Sequence, residues 1–261
     1  MSTSQVTLER DGHVATLSLD DRARRNAMTP ELGDALAARV AELAVDEDIR
    51  AVILTGAGGA FSAGGDLAML ERLRTVSARE AEAFMRAFYA RYLSITTLTV
   101  PTIAAIEGPA IGAGLCVALA CDFRIVEESA KLALNFASLG LHPGMGATYL
   151  APLRAGNERG LELLLTGRRF DGREAHAMGM ALAAVPAGEV RSRATTLAKQ
   201  IATAAPLAVR GILRTARLDR GALERALAHE AREQAISYAS ADLGEGLKAA
   251  SEKRSAVFTG R

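Results

Sequence analysis

Tryptophan is absent from this 261-residue chain, and all aromatic residues together make up 4% of it. Base-stacking surfaces need such rings, so no nucleic-acid partner is expected. An excess of one charge is lacking too. The 31 Lys and Arg stand against 30 Asp and Glu, for a formal net charge of +1. So even a balance sets up no field for a polyanion or an anionic membrane. No uninterrupted apolar run approaches the length that spans a bilayer. The opening residues, MSTSQVTLER, hold neither the apolar stretch of a signal peptide nor an Arg-rich transit pattern. Cysteine is reduced to Cys116 and Cys121, both inside an apolar run. Their i, i+5 spacing suits neither a disulfide nor a metal motif, so no metal is expected, and a cytoplasmic, reducing setting fits.

What is present is 49% hydrophobic residues in a chain long enough for one large core or one core plus a small appendage. Val6 to Leu19 alternates around Asp11-Gly12, which predicts a β-hairpin. Thr29 is placed to cap a helix with Pro30 at its first position, and Leu32, Leu36, Val40 and Leu43 mark its apolar face. Arg50 to Gly56 is a continuous apolar run, the pattern of a buried parallel strand. A Gly-rich loop follows, AGGAFSAGGDLA, and Ala78 to Leu98 reads as mostly helical. Thr102 to Gly108 predicts a second buried strand, Gly112 to Ala120 a short apolar helix, DFRIVE a third strand and Lys131 to Asn135 a fourth. Strand, Gly-rich loop and helix recurring in this order predict an α/β fold with parallel strands. Beyond, Gly156–Thr166, Glu189–Ala204, Pro206–Thr215 and Gly221–Ser240 carry helical periodicity. On the last, Leu223, Leu227, Ala231, Gln234 and Tyr238 share one face, and only MALAAVP looks like a strand. The chain thus divides into an α/β core, residues 1–186, and a helical C-terminal region, residues 187–261.

Two Gly-rich turns follow buried strands, Ala57–Asp66 and Gly108–Gly114, and both belong at the carboxyl edge of the sheet, where ligands collect. Backbone N–H groups in such loops and at helix starts are unpaired, and the helix dipole adds positive potential at Gly112–Gly114. Two such donors converging on one carbonyl oxygen form an oxyanion hole, worth roughly 3–4 kcal/mol per donor in a transition state. The small residues equally suit close helix–strand packing, and spacing alone leaves both readings open. A phosphate loop is disfavoured, because the Gly-Lys-Ser/Thr of a Walker motif and the ordered dinucleotide fingerprint are missing.

The stretches AFSAGGDL (Ala60–Leu67), PTIAAIEGPAIGAGLCVALACD (Pro101–Asp122), LGLHPGMGAT (Leu139–Thr148), LLLTGRRFDGREAHAMGMA (Leu163–Ala181) and EKRSAVFTGR (Glu252–Arg261) together resemble the enoyl-CoA hydratase/isomerase, or crotonase, family. The resemblance covers essentially the whole chain. It implies a spiral of ββα units followed by helices used in trimer formation, hence a homotrimer or a dimer of trimers. It implies acyl-CoA thioesters as substrates, with coenzyme A part of the substrate and no separate cofactor. The shared intermediate is an enolate held by two backbone amides, which by the match are those of Gly65 and Ala113. Ala63, Asp66 and Leu67 then line the CoA side, Arg24 or Arg25 lies near the nucleotide, and Lys253 and Phe258 match C-terminal CoA contacts often made across a subunit boundary.

The chain departs from the family at the proton-moving positions. The hydratase glutamates match Cys116 and Phe136, and the aspartate of some isomerases and a dehalogenase matches Gly144. General acid–base groups contribute typically ~10²–10⁴-fold, and a thiol and a phenyl ring do not replace a carboxylate pair. Cys116 reads as a small buried hydrophobe. His142, in the expected active-site turn, is the remaining catalytic candidate because imidazole titrates near neutrality. Asn135, Glu107 and Glu71 are weaker ones, and Asp66 is expected to order its own loop. Phe84, Met85, Phe88 and Tyr89 suggest either core or an apolar pocket wall. Three functions stay open: a hydratase or isomerase by descent, an acyl-CoA decarboxylase or thioesterase, and a non-catalytic acyl-CoA binder.

Overall fold

In the computed structural model, which describes residues 4–261, the expected hairpin forms from β1 (Gln5–Asp11) and β2 (Val14–Asp20), with Asp11 opposite Val14. Thr29 caps α1 (Pro30–Ala44) by accepting from the Leu32 N–H, and Pro30 sits where a missing N–H is harmless. Leu32, Leu36, Val40 and Leu43 are all buried. The apolar run becomes β3 (Ala51–Gly56), buried throughout and parallel to β2. Next come α2 (Leu67–Leu73) and α3 (Ala78–Leu93), the latter opened by a Ser77–Glu80 capping box. β4 (Thr102–Ile106), β5 (Ala110–Ile111), α4 (Ala113–Ala120), β6 (Phe123–Glu127) and β7 (Leu132–Ala133) follow. Then come α5 (Ala147–Ala155), α6 (Asn157–Thr166), β8 (Arg169–Phe170), α7 (Gly172–Ala177) and β9 (Ala183–Val185). The chain ends in α8 (Val190–Ala202), α9 (Pro206–Ala216), α10 (Arg220–Tyr238) and α11 (Ala241–Glu252).

The main sheet has six strands in the order β1-β2-β3-β4-β6-β9, all parallel except the first pair. Alternate residues of β3 and β4 serve two apolar layers. Val52, Leu54, Ala104 and Ile106 join the larger core with α1 and α3, while Ala51, Ile53, Ile103 and Ala105 meet Val190, Ala194, Ala198 and Ala202 of α8. Burial on both faces explains why these strands read as unbroken apolar runs. The segment expected as a fourth strand of the α/β core is β7, which lies in a separate sheet of order β5-β7-β8. The C-terminal helices share the main cores: α8 covers one face of the sheet, and Leu223, Ala231, Ala235 and Tyr238 of α10 enter the larger core. Among the described residues no helix is long and apolar enough to cross a membrane.

Candidate active site

Two backbone segments after parallel strands build the site. The one after β3 is held by Asn26, fully buried and at φ 56°, a left-handed conformation asparagine tolerates. Its Nδ2 donates to the carbonyls of Ala57 (3.0 Å) and Ala60 (2.7 Å), and its Oδ1 accepts from the Asp21 N–H (2.8 Å). Ser62 Oγ donates to the Asn26 carbonyl at 2.7 Å and accepts from the Gly64 N–H at 3.2 Å. Met28 then pairs with Gly65 as in a parallel bridge. The Met28 N–H donates to the Gly64 carbonyl (2.7 Å) and the Asp66 N–H to the Met28 carbonyl (3.2 Å). In such a pairing the intervening N–H, that of Gly65, turns away from the partner. It has no acceptor among the described residues.

The second segment is the turn into α4. The Ile111 N–H donates to the Ser62 carbonyl (3.0 Å) and the Gly112 N–H to the Ala133 carbonyl (2.8 Å). Gly112, at φ 52° and ψ −122°, holds a conformation only glycine adopts readily. Gly114 is a packing requirement, since a Cβ there would lie 2.6 Å from Ser62 Cβ and Oγ. Ala113 opens the helix, so its N–H lacks an intrahelical partner and has no acceptor among the described residues. The two segments touch: a Cβ on Gly64 would stand 2.7 Å from the Ile111 carbonyl oxygen and 3.9 Å from Ala113 N. Gly65 is different. A Cβ there would meet Leu70 no closer than 3.8 Å, so packing does not force glycine at that point.

All eight residues of α4 are buried, and its far end is neutralised by arginines. Arg124 donates to the Cys121 carbonyl at 2.7 Å, and Arg154 donates to the carbonyls of Leu119 and Cys121 at 3.1 Å each. Cations at the C-terminus complement the helix dipole and leave its positive end at Ala113. Burial draws the Arg124 pKa down to about 10, still charged at neutral pH.

Gly65 and Ala113 both line a cavity of about 220 Å³. Its mouth is marked by Ala63, Ala250 and Leu67, the last 50% exposed, and its deep end by Phe88, Tyr89, Met145 and Tyr238, none above 2%. Among the described residues, the wall contains no Asp, Glu, His, Lys, Arg or Cys. Its titratable groups are the two tyrosines, whose hydroxyl pKa values burial drives far up. Asn135 also faces the cavity, and its side chain makes no hydrogen bond within the described protein.

Of the sequence-expected residues, Gly65, Ala113, Ala63 and Leu67 are brought together on this wall. Asp66 lies behind it and caps α2 through the Met69 N–H at 2.9 Å. His142 is not on the wall: its Nδ1 lies 2.7 Å from the Pro143 carbonyl, and its ring stacks on His229 with centroids 6.4 Å apart. Arg24 is paired with Asp21 at 2.6 Å and lines a shallow depression outside α2 with Asp66 and Arg72. Lys253 and Phe258 are exposed and stand off this chain's own cavity, on a tail tied to α11 by the Thr259 and Gly260 N–H groups bonding Asp242. Glu71 pairs outward with Arg74 and Glu107 with Arg191, each at 2.7 Å.

The three residues matched to the family's acid positions are each placed by packing. Cys116 is fully buried off the wall, and burial pushes its thiol well above the ordinary range. Phe136 puts an aromatic ring on the wall. At Gly144, a Cβ would lie 2.6 Å from both Tyr89 Oη and Gln234 Nε2. Among the described residues, the only carboxylate buried near this end is Glu230 of α10, which periodicity did not single out. It accepts from the Gly146 N–H (2.7 Å), the Thr148 N–H (2.8 Å) and Thr148 Oγ1 (2.6 Å), so it caps α5 from a distant helix. Burial pushes its pKa up to about 7 despite those three donors.

The enoyl-CoA hydratase/isomerase family profile matches residues 9–261. A Thermus thermophilus protein assigned as an enoyl-CoA hydratase is 37% identical over 253 residues, which is 95% of this chain and 98% of that one. A solved enoyl-CoA hydratase/isomerase from Pseudoalteromonas atlantica superposes with TM-score 0.85 at 28% identity, covering 98% of this chain and 100% of its own. EchA1_1 from Mycobacterium paratuberculosis reaches TM-score 0.87 at 30% identity, with both chains fully covered.

Proposed function

Because the chain belongs to the enoyl-CoA hydratase/isomerase family, we propose that it takes acyl-CoA thioesters and stabilises their enolates between the N–H groups of Gly65 and Ala113. One observation carries this reading: two backbone donors without acceptors share a cavity wall that offers no carboxylate, imidazole, amine or thiol. Donors fixed by Asn26, Ser62 and α4 need no reorganisation as charge grows on the oxygen, which is the condition under which such donors count most. The CoA arm leaves past Ala63 and Leu67, with Arg24, half exposed while paired with Asp21, on the outer side near its phosphates. Lys253 and Phe258 serve a neighbouring copy in a trimer. Support for that assembly comes from α9, which buries none of its residues and exposes Leu207 and Ile212 at 81% and 61%.

The wall chemistry favours reactions that reach an enolate without a side-chain base. Loss of CO₂ from a 2-carboxyacyl thioester is one. The bond from the α-carbon to the carboxylate breaks, its electron pair passes to the thioester oxygen, neutral CO₂ leaves, and a proton from water completes the α-carbon. Apolar walls disfavour the charged carboxylate and so favour its departure, and the uncommitted Asn135 amide is suited to orient it. Hydration is the second reading, and the names of the relatives favour it. It requires a group to activate water and another to protonate the α-carbon, neither of which lines this wall. The test is a panel of CoA thioesters, including crotonyl-CoA and malonyl-CoA, followed for binding by calorimetry and for product by mass spectrometry. CO₂ loss with little crotonyl-CoA hydration is expected. Family-level hydration overturns the decarboxylation reading, and binding without turnover on any thioester makes the chain a carrier rather than an enzyme.

A further inference from the structure

Beyond the deep end of the cavity lies a second space of about 350 Å³, a cleft between α3 and α10 that opens to solvent. Leu93, Leu223 and Leu227 give it apolar walls, Arg86 and Arg220 stand among its lining residues, and Ala90 lies at its exposed side. Among the described residues, Tyr89 alone lines both spaces. It is 2% exposed, and its hydroxyl donates to Gln234 Oε1 at 2.8 Å, which fixes the ring across the deep end. Gln234 is itself tied to the next loop by donating from Nε2 to the His142 carbonyl at 2.9 Å.

We propose that the Tyr89 ring is the floor of the acyl site and confines its substrates to acyl groups short enough to end against it. This rests on the acyl-CoA reading of the cavity given above. From the Gly65–Ala113 wall, an acyl chain runs away from the exposed mouth and toward Phe88, Met85 and Tyr89. There the ring separates it from the cleft, whose apolar side, Leu93, Leu223 and Leu227, would otherwise accept further methylenes. Each added methylene that finds apolar surface tightens binding about fourfold, and one that meets the ring gains nothing or is excluded.

The experiment is calorimetric binding of saturated acyl-CoA thioesters of increasing chain length to the full chain. In the wild type, affinity rises with length and then breaks. In Tyr89→Ala the break moves to longer chains, with about a fourfold gain per methylene beyond the old limit. Tyr89→Phe keeps the ring and keeps the wild-type break. Ala90→Trp added to Tyr89→Ala refills the cleft and brings the break back, while Ala90→Trp alone leaves the length profile as it was. If Tyr89→Ala does not fold, Tyr89→Leu carries the same comparison. A wild type with no break, or a break at the same length in wild type and folded Tyr89→Ala or Tyr89→Leu, overturns the proposal. A wild type that binds no acyl-CoA of any length sinks the acyl-CoA reading itself, a different outcome from an unmoved break.

Discussion

Tyr89 and Gln234, 145 residues apart in the chain, share a 2.8 Å hydrogen bond directly over Gly144. The consequence is chemical. A carboxylate placed at Gly144 would have to push aside the tyrosine oxygen and the glutamine nitrogen, each 2.6 Å from the new Cβ, and so break this hydrogen bond. Gly144→Asp is therefore expected to lower stability by about 3 kcal/mol, the upper range for overpacking, without creating hydration of crotonyl-CoA. Adding Gln234→Ala clears part of the space, so the double variant should cost less than the sum of the two single ones. Denaturant unfolding of the four proteins checks this, and strict additivity would contradict it.

Glu230 predicts a pH dependence. Burial raises its folded pKa to about 7, against 4.5 for an ordinary glutamate. The folded state therefore binds more protons than the unfolded one between those values, and this group's contribution to stability falls as pH rises through that window. It is most favourable below pH 4.5 and fully lost above 7. The difference of about 2.5 pH units corresponds to roughly 3 kcal/mol. Glu230→Gln cannot ionise, so its stability relative to wild type should improve by about that amount from pH 4.5 to pH 8. Paired urea titrations at the two pH values make the measurement, and a pH-independent difference would refute the assignment.

Asn26 is a third test, because it joins the N-terminal segment to the Gly-rich loop with one side chain. Asn26→Ala removes three buried hydrogen bonds and leaves the carbonyls of Ala57 and Ala60 and the N–H of Asp21 without that partner. Each unsatisfied buried group costs about 1–3 kcal/mol, so a loss of at least 3 kcal/mol is expected. Acyl-CoA binding should weaken as well, since the same loop carries Gly65. A variant with wild-type stability would show that the loop is held by other means.

How far the sequence already told this follows from the range of the interactions. The hairpin, α1 with its Thr29 cap, β3, β4, β6 and α4 are written in local pattern, and all form where expected. The two-residue strands β5 and β8 carry too little pattern to read, and α5 opens at Gly146, which has no capping side chain of its own, with Glu230 of α10 accepting from its first N–H groups instead. Both Gly-rich turns were legible as lying at the carboxyl edge of the sheet, and they meet on one cavity wall. Their separate constraints were not: spacing could not divide Gly114, fixed by Ser62, from Ala113, whose N–H has no acceptor among the described residues. Met85, Phe88 and Tyr89 do wall the cavity, whereas Phe84 packs on Phe88 at 6.1 Å and stays off it. Gln234 and Tyr238 were visible as one helical face, but not as the partner and neighbour of Tyr89, because that pairing depends on α10 lying against α3.

The oxyanion assignment can be tested by deleting a single N–H. Ala113 is the first residue of α4, the position at which proline is accepted without loss of an intrahelical bond. Ala113→Pro thus removes the donor while the helix after it can persist, which circular dichroism and thermal melting would register. Loss of one such donor lowers turnover about 10²–10³-fold. The loss should appear in kcat rather than in the affinity for a ground-state acyl-CoA, because the donor acts most strongly on the charged oxygen of the enolate. Gly65 offers the companion measurement, since a Cβ there has room beside Leu70. Gly65→Ala keeps the N–H and should retain far more activity than Ala113→Pro. Should folded Ala113→Pro turn over its thioester at the wild-type rate, the donor at residue 113 has no part in the chemistry.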